Sequence, residues 1–155
     1  MPKRKTWREK LADSKDLPKV VKISGKMSNR WGQGTCAIPA PREVDAIMRK
    51  VPEGKLITIN EIRARVATKH KATIGCPITS GIFAWIAAHA AEEAALAGET
   101  DITPYWRTLK AGGALNAKYP GGIPRLKSLL EAEGHTVVAK GAKHIVADYE
   151  ARLMR

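Results

Sequence analysis

Few residues in this 155-residue sequence have the type and spacing needed for nucleophilic or metal chemistry. The thiols are Cys36 and Cys76, and the four histidines are accompanied by no Cys-x-x-Cys pair. Two cysteines make neither a disulfide framework nor a cluster of metal ligands. We therefore expect no metal and no cofactor, and the cysteine usage indicates a reducing compartment.

A long loop carries the most distinctive side chains. Residues 99–123 have no strong helical pattern, yet they contain Pro-Tyr-Trp-Arg at 104–107 and Tyr-Pro-Gly-Gly at 119–122. A loop of this length in a compact domain is usually functional or disordered, and the aromatic residues with their flanking prolines favour function. A tyrosine with an ordinary pKa of about 10 is a weak nucleophile unless a base lies beside it.

The charge balance narrows the class of partner. The formal net charge is +12 and the isoelectric point is near 10.0, which indicates a polyanionic partner. We favour nucleic acid, with an anionic membrane, an acidic protein or simple solubility as the alternatives. No apolar run approaches the roughly 18 residues of a membrane span, and no apolar segment follows the charged N-terminus. We expect no membrane partner and a cytoplasmic protein, associated with the nucleoid if the cell is prokaryotic.

More than half of the excess charge lies in the first quarter of the chain. Residues 1–39 hold ten Lys and Arg against three acidic residues, for a net charge of +7. We interpret this segment as a basic N-terminal arm that is ordered in part or on binding. Trp7 and Trp31 can stack on bases, but we favour their anchoring the arm to the domain.

The elements that follow predict a helix-turn-helix unit. Pro41 begins a helix, since the first turn does not need its missing N–H. Thr58 and Glu61 have capping-box spacing and predict a helix over 59–67. A basic turn at 69–71 leads to a third helix at about 79–97, capped by Thr79 or Ser80.

The last third of the chain predicts a helix and a wing. A helix begins at Pro124 and ends at Gly134, and residues 135–138 and 143–146 read as the two strands of a β-hairpin. The predicted fold is mainly α with a small β element, a winged-helix-like domain. We assign residues 1–39 to the arm, 40–147 to the domain and 148–155 to a C-terminal tail.

These motifs carry a resemblance to a known family. A capping-box helix, then Tyr-x-Gly-Gly at 119–122 and Leu-Leu-x-x-Glu-Gly at 129–134, resembles the DNA-binding domain of alkylguanine-DNA alkyltransferases. The similarity is greatest to the non-catalytic alkyltransferase-like proteins, and it covers about residues 40–135.

One departure from the family decides the expected chemistry. The family's Pro-Cys-His-Arg motif is matched by Pro104 and Arg107 alone, because Tyr105 replaces the alkyl-accepting Cys and Trp106 replaces the His. Glu133 matches the family's Glu. The resemblance implies a protein without methyltransferase activity that recognises alkylated guanine in double-stranded DNA by base flipping and signals its repair. In that reading Pro104, Arg107 and Glu133 support the loop.

The resemblance also assigns site residues. The recognition helix is expected to enter the minor groove, with a pocket for the flipped base and further contacts to the DNA backbone. A family tyrosine that rotates the target phosphate falls at Ile59, and a family arginine that fills the vacated stack falls near Ser80. The pocket residues are Tyr105, Trp106, Tyr119, Pro120 and Gly121, and the DNA-contacting residues are Thr58, Thr79, Ser80, Gly81, Lys69, Lys71 and Lys110.

Several alternatives remain at the level of the sequence. Tyr105 and Trp106 can also fill the core beneath the loop. The protein can be a general DNA-binding winged-helix protein without lesion preference, can transfer the alkyl group to Cys76, or can use the arm to bind RNA or protein. We expect a monomer whose partners are double-stranded DNA and nucleotide excision repair proteins.

Overall fold

The helix predicted after Pro41 is present in a computed structural model of the chain, which describes residues 5–154. It is α3 (Pro41–Arg49), with Pro41 in the first turn and Val44 and Met48 fully buried. The Glu43 carboxylate accepts a hydrogen bond from the Ala40 N–H at 2.9 Å, which satisfies one free donor of the first turn. Residues 1–4 of the predicted arm and residue 155 lie outside the described residues.

The helix-turn-helix unit consists of α4 (Ile59–Lys69) and α5 (Pro77–Leu96), preceded by the short strand β3 (Ile57–Thr58). The Glu61 carboxylate accepts from both the backbone N–H and the hydroxyl of Thr58, at 3.2 and 3.1 Å. Helix α5 begins two residues earlier than predicted. Cys76, rather than Thr79 or Ser80, occupies the cap position, because Pro77 fits the first turn without an N–H.

The N-terminal segment contributes regular structure. It contains α1 (Trp7–Ala12), β1 (Lys19–Lys22), α2 (Met27–Trp31) and β2 (Thr35–Ile38). Strand β2 pairs antiparallel with β1 and parallel with β4 (Ile74–Gly75), so the fold continues across the predicted arm boundary at residue 39. A Cβ at Gly75 would lie 2.3 Å from the Arg63 carbonyl oxygen, and glycine therefore permits the close approach of β4 to α4.

The remaining elements follow the predicted order. Strand β5 (Thr108–Leu109) pairs in parallel with β3, and α6 (Gly122–Ala132) begins two residues before Pro124. Strands β6 (Val137–Lys140) and β7 (Lys143–Val146) form the predicted hairpin. Short 3-10 helices cover Tyr105–Arg107, Ala111–Gly113 and Tyr149–Arg152. The tail is tied to the start of β3 by two backbone hydrogen bonds at Leu56.

The core is built around α5. Its alanines, including Ala84, Ala87 and Ala88, are fully buried, and their small side chains allow α3 and α4 to pack closely against it. The fold is mainly α with small sheets, as predicted. No helix within residues 5–154 has the length and apolar character needed to cross a bilayer.

Candidate nucleic-acid interface

Tyr105, which stands where the resemblance places an alkyl acceptor, lies in the core. Its side chain is 1% exposed, and its ring meets the rings of Trp106 and Tyr119 edge-on, at centroid distances of 5.3 and 6.4 Å. The hydroxyl donates to the Glu92 carboxylate at 3.3 Å. In this conformation no base can stack on Tyr105, so the geometry is that of the core-filling alternative.

The environment of Tyr105 also disfavours nucleophilic chemistry. Burial raises the pKa of the phenol, and the neighbouring Glu92 carboxylate raises it further against an opposing effect of Arg125. The proton is therefore retained at neutral pH, and the hydroxyl is a hydrogen-bond donor rather than a nucleophile.

Glu133 organises the base of the loop. Its carboxylate accepts from the Trp106 indole N–H at 2.8 Å and from two guanidinium nitrogens of Arg107, the closer at 2.7 Å. The Gly54 N–H donates to the same carboxylate at 3.2 Å, and Arg107 also donates to the Val51 carbonyl at 2.7 Å. Arg107 and Glu133 thus join the loop to both the end of α6 and the turn after α3. Pro104 is buried immediately before them.

This carboxylate should make the stability of the protein depend on pH. Burial opposes ionisation of Glu133, but hydrogen bonds from Arg107, Trp106 and Gly54 outweigh it and hold the pKa below the ordinary value of 4.5. The stabilisation is complete above pH 4.5 and is lost as the pH falls through the lower folded-state pKa. In urea titrations, the difference in free energy of unfolding between wild type and Glu133→Gln should shrink as the pH falls through that range. A difference that is constant with pH would contradict this assignment.

The other predicted pocket residues lie beside Tyr105 without lining an open space with it. Tyr119 is 4% exposed and Pro120 is buried, and burial raises the pKa of Tyr119 above its ordinary range. Gly121 has φ +80° and precedes α6, where a Cβ would lie 2.3 Å from the Arg125 side chain. Trp106 remains partly exposed. The predicted pocket residues therefore pack against one another and, within residues 5–154, leave no open pocket between them.

An open cavity lies nearby, between the first turns of α5 and the loop at 110–118. Its volume is about 460 Å³. The Lys118 carbonyl oxygen accepts from the Trp85 indole N–H at 3.2 Å and from His89 Nε2 at 2.9 Å, which fixes the loop against the helix. The lining residues are Ile78, Gly81, Ile82, Trp85, Lys110, Asn116 and Lys118.

The exposed side of α5 is unexpectedly apolar. Ile78 and Ile82 are 55% and 45% exposed and lie one helical turn apart, on either side of Gly81. Sequence reasoning assigned Gly81 and Lys110 to the interface but missed both isoleucines and Trp85, because apolar residues at helical spacing are normally buried. The clue in the sequence was that Ile78 and Ile82 lie within one helical turn of Gly81, which was predicted to be at the tip of the recognition helix.

Two of the predicted DNA contacts lie in the core instead. Ser80 has no exposed surface and its hydroxyl has no hydrogen-bond partner among the described residues, because it faces inwards from α5. Thr58 is 6% exposed and donates to Glu61. Neither side chain reaches the surface that a duplex would approach, which departs from the expectation. Thr79 is partly exposed, and its Oγ1 atom is buried.

The basic turn between α4 and α5 is partly neutralised. The Glu43 carboxylate contacts Lys69 Nζ at 2.8 Å and His70 Nε2 at 2.7 Å. Lys71 is exposed and adopts φ +54°. Of the two turn lysines predicted to meet DNA, Lys71 is the one without a nearby carboxylate among the described residues.

The N-terminal segment covers the second half of α5. The Trp7 ring stacks on His89 at a centroid distance of 4.5 Å and meets Trp85 edge-on at 4.8 Å. Arg8 forms an ion pair with Glu93 at 3.2 Å. Trp7 therefore anchors this segment, as predicted, and it covers α5 around Trp85 and His89 while Ile78 and Ile82 in the first turns remain exposed.

Neither thiol is exposed. Cys36 and Cys76 are 1% and 6% exposed, and burial, with a contribution from Cys76, raises the pKa of Cys36 to about 11. Cys76 Sγ accepts from the Thr79 N–H at 3.5 Å. Trp31 packs against the small cluster that contains both cysteines.

Comparison with known proteins identifies the fold. No family model matches the chain, and no curated protein matches its sequence. Two solved structures are similar: S. pombe Atl1 in complex with damaged DNA containing O6-carboxymethylguanine, and S. pombe ATL in complex with DNA. Each has a TM-score of 0.54 at 20% identity and covers 74% of this chain and 94% of its own. The chain therefore has the fold of S. pombe Atl1, as its resemblance to the alkyltransferase-like proteins predicted.

Proposed function

We propose that this protein binds double-stranded DNA, recognises alkylated guanine without repairing it, and presents the lesion to nucleotide excision repair proteins. The observation that carries the proposal is the exposed apolar edge of α5, Ile78 and Ile82, beside a cavity of about 460 Å³ with two lysines at its rim. The shared fold with S. pombe Atl1, solved with damaged DNA, supports the same reading.

The mode of binding follows from the exposed part of α5. Its first turns enter the minor groove, where the N–H groups and positive end of the helix dipole favour phosphate. Ile78 and Ile82 act as an apolar wedge between base steps, which unstacks the duplex at a cost of a few kcal/mol. The absence of a side chain at Gly81 allows close approach of the helix backbone.

The displaced base enters the cavity between α5 and the loop at 110–118. The volume of about 460 Å³ lies within the range of small-molecule sites. Trp85 offers an aromatic surface there, and Lys110 and Lys118 contact the flanking phosphates. In this mode Trp85, rather than the predicted pocket residue Tyr105, stacks on the displaced base.

We propose that no alkyl transfer accompanies binding. The phenol of Tyr105 is buried and neutral, and Cys76 is 6% exposed in the cap of α5. We further propose that the protein acts as a monomer and is cytoplasmic, at the nucleoid if the cell is prokaryotic.

A second candidate function is general DNA binding without lesion preference. The burial of Tyr105 and Tyr119 favours it, because the family's predicted pocket is filled by the protein's own side chains. This candidate predicts equal affinity for damaged and undamaged duplexes.

Binding to matched duplexes distinguishes the two candidates. One duplex carries a single O6-carboxymethylguanine or O6-methylguanine, and the other carries guanine in the same sequence, each measured at two salt concentrations. We expect at least tenfold tighter binding to the damaged duplex, with similar salt dependence for both, since the phosphate contacts are shared. Equal affinities would support the general DNA-binding candidate. Mass spectrometry after incubation should find the protein mass unchanged, whereas an added alkyl group would contradict the non-enzymatic assignment.

A further inference from the structure

We infer that the N-terminal segment is a rigid second wall of the DNA site, in which Lys10 and Lys15 bind the phosphates of one strand while Lys110 and Lys118 bind those of the other. This inference rests on the proposed entry of α5 into a duplex groove. It assigns the basic segment a fixed position and a defined partner, rather than diffuse attraction by a flexible tail.

The segment is held on α5 by specific contacts. Besides the stacking of Trp7 on His89, the Trp7 and Arg8 backbone N–H groups donate to the Glu93 carboxylate at 3.1 and 3.3 Å. Arg8 also contacts Glu99 at 2.8 Å. The start of α1 is thereby joined to the second half of α5 and to Glu99 in the segment after it, so the lysines that follow Trp7 cannot diffuse freely.

The docked segment encloses a second cavity on the adjacent side of α5. Its volume is about 510 Å³, and it lies between the segment and Thr79, Phe83 and Ile86. Lys5, Lys10 and Lys15 line it together with Asp13. Three cations around one carboxylate leave a net positive charge at the first turns of the helix.

Two of these lysines are available to an external anion. Lys5 forms an ion pair with Asp13, whereas no carboxylate of residues 5–154 forms an ion pair with Lys10 or Lys15. Lys10 Nζ lies 4.3 Å from the centre of the Trp7 ring, which directs its ammonium towards the docked face. The Lys10 ammonium is thus positioned by the Trp7 ring, and the Lys15 charge lies near the Asp13 and Asp16 carboxylates without an ion pair to either among residues 5–154.

The positions of the two cavities on α5 fit the two phosphate strands of a DNA duplex. Within the first turns of α5, the residues of one cavity (Ile78, Gly81 and Ile82) and those of the other (Thr79 and Phe83) lie on neighbouring faces. A helix inserted in a groove has a phosphate strand on each side, so lysines on both flanks meet both strands. Single-stranded RNA offers one such strand and would not require both walls.

Paired charge-removal variants test the inference. Lys10→Gln with Lys15→Gln removes the second wall, and Lys50→Gln with Lys55→Gln removes the same charge from exposed positions that line neither cavity. Losing two phosphate contacts should reduce the slope of log affinity against log salt by about 1.8. Between about 50 and about 200 mM salt, wild-type affinity should fall about tenfold more than that of the Lys10/Lys15 variant. The control pair should keep the wild-type slope.

A third variant distinguishes a rigidly docked N-terminal segment from a flexible N-terminal tail. Trp7→Ala keeps every charge but removes the anchor on α5, so a wall predicts a reduced slope and a tail predicts the wild-type slope. Circular dichroism checks that each variant is folded. An unchanged slope in Lys10→Gln with Lys15→Gln, an equal reduction in the control pair, or an effect on RNA binding alone would overturn the inference. If the wild type failed to bind duplex DNA at all, the proposed function itself would be the one rejected.

Discussion

Arg107→Met should lower the free energy of unfolding by about 3–5 kcal/mol, because it leaves the Glu133 carboxylate buried without its cation. The two side chains are 14% and 7% exposed, and their closest nitrogen–oxygen distance is 2.7 Å. The substitution also removes the hydrogen bond from Arg107 to the Val51 carbonyl. Urea unfolding followed by circular dichroism measures the change.

Two further variants check that the loss comes from the buried charge. Arg125 pairs with Glu92 but its side chain is 48% exposed, so Arg125→Met should cost less than about 1 kcal/mol. Adding Glu133→Gln to Arg107→Met should recover part of the loss, since the amide carries no charge and its oxygen still accepts from Trp106. Similar losses in the two arginine variants, with no recovery in the double variant, would contradict this account.

Ile82→Asp should weaken binding to a DNA duplex about 100-fold, or about 2.8 kcal/mol. The substitution removes half of the apolar wedge and places a negative charge where the helix meets phosphates. Ile82 is 45% exposed, so the folded state should tolerate the change. Fluorescence anisotropy with a labelled duplex at fixed salt concentration measures the affinity.

Leu96→Asp provides the matched control. It is the same type of change on the same helix, at an 81% exposed residue near the opposite end of α5. The net charge of the two variants is identical, so a loss of affinity in Ile82→Asp alone locates the interface at the first turns. Equal losses would indicate non-specific electrostatics and remove Ile82 from the interface.

Much of the local structure could be predicted from the sequence. Pro41, the Thr58 and Glu61 pair and the hairpin around Gly141 specify their elements through short-range effects, such as a missing N–H, a capping carboxylate and a positive φ. Arg107 contacts Glu133 and Val51, and its supporting role in the loop stays a prediction. The lesion specificity and the roles of the pocket residues remain predictions.

The surface of α5 could not be predicted in the same way. The pattern of apolar residues in α5 does not predict which of them face the core. Ser80 is buried, whereas Ile78 and Ile82 are exposed. The usual rule that apolar side chains are buried predicts the opposite, with the two isoleucines inside and the serine exposed. Which residues of α5 are buried depends on the elements packed around the helix. Those contacts join residues that are distant in the chain, such as Trp7 and His89.

The sequence by itself determined a basic, mainly α protein with a helix-turn-helix unit and an alkyltransferase-like fold. These properties depend on composition, local patterning and motif order. Only the tertiary structure decided that Tyr105 is buried, that the open cavity lies beside Trp85, and that the basic segment is docked on α5. The physical reason is that burial and docking depend on which distant side chains compete for the same space, and a one-dimensional pattern does not contain that information.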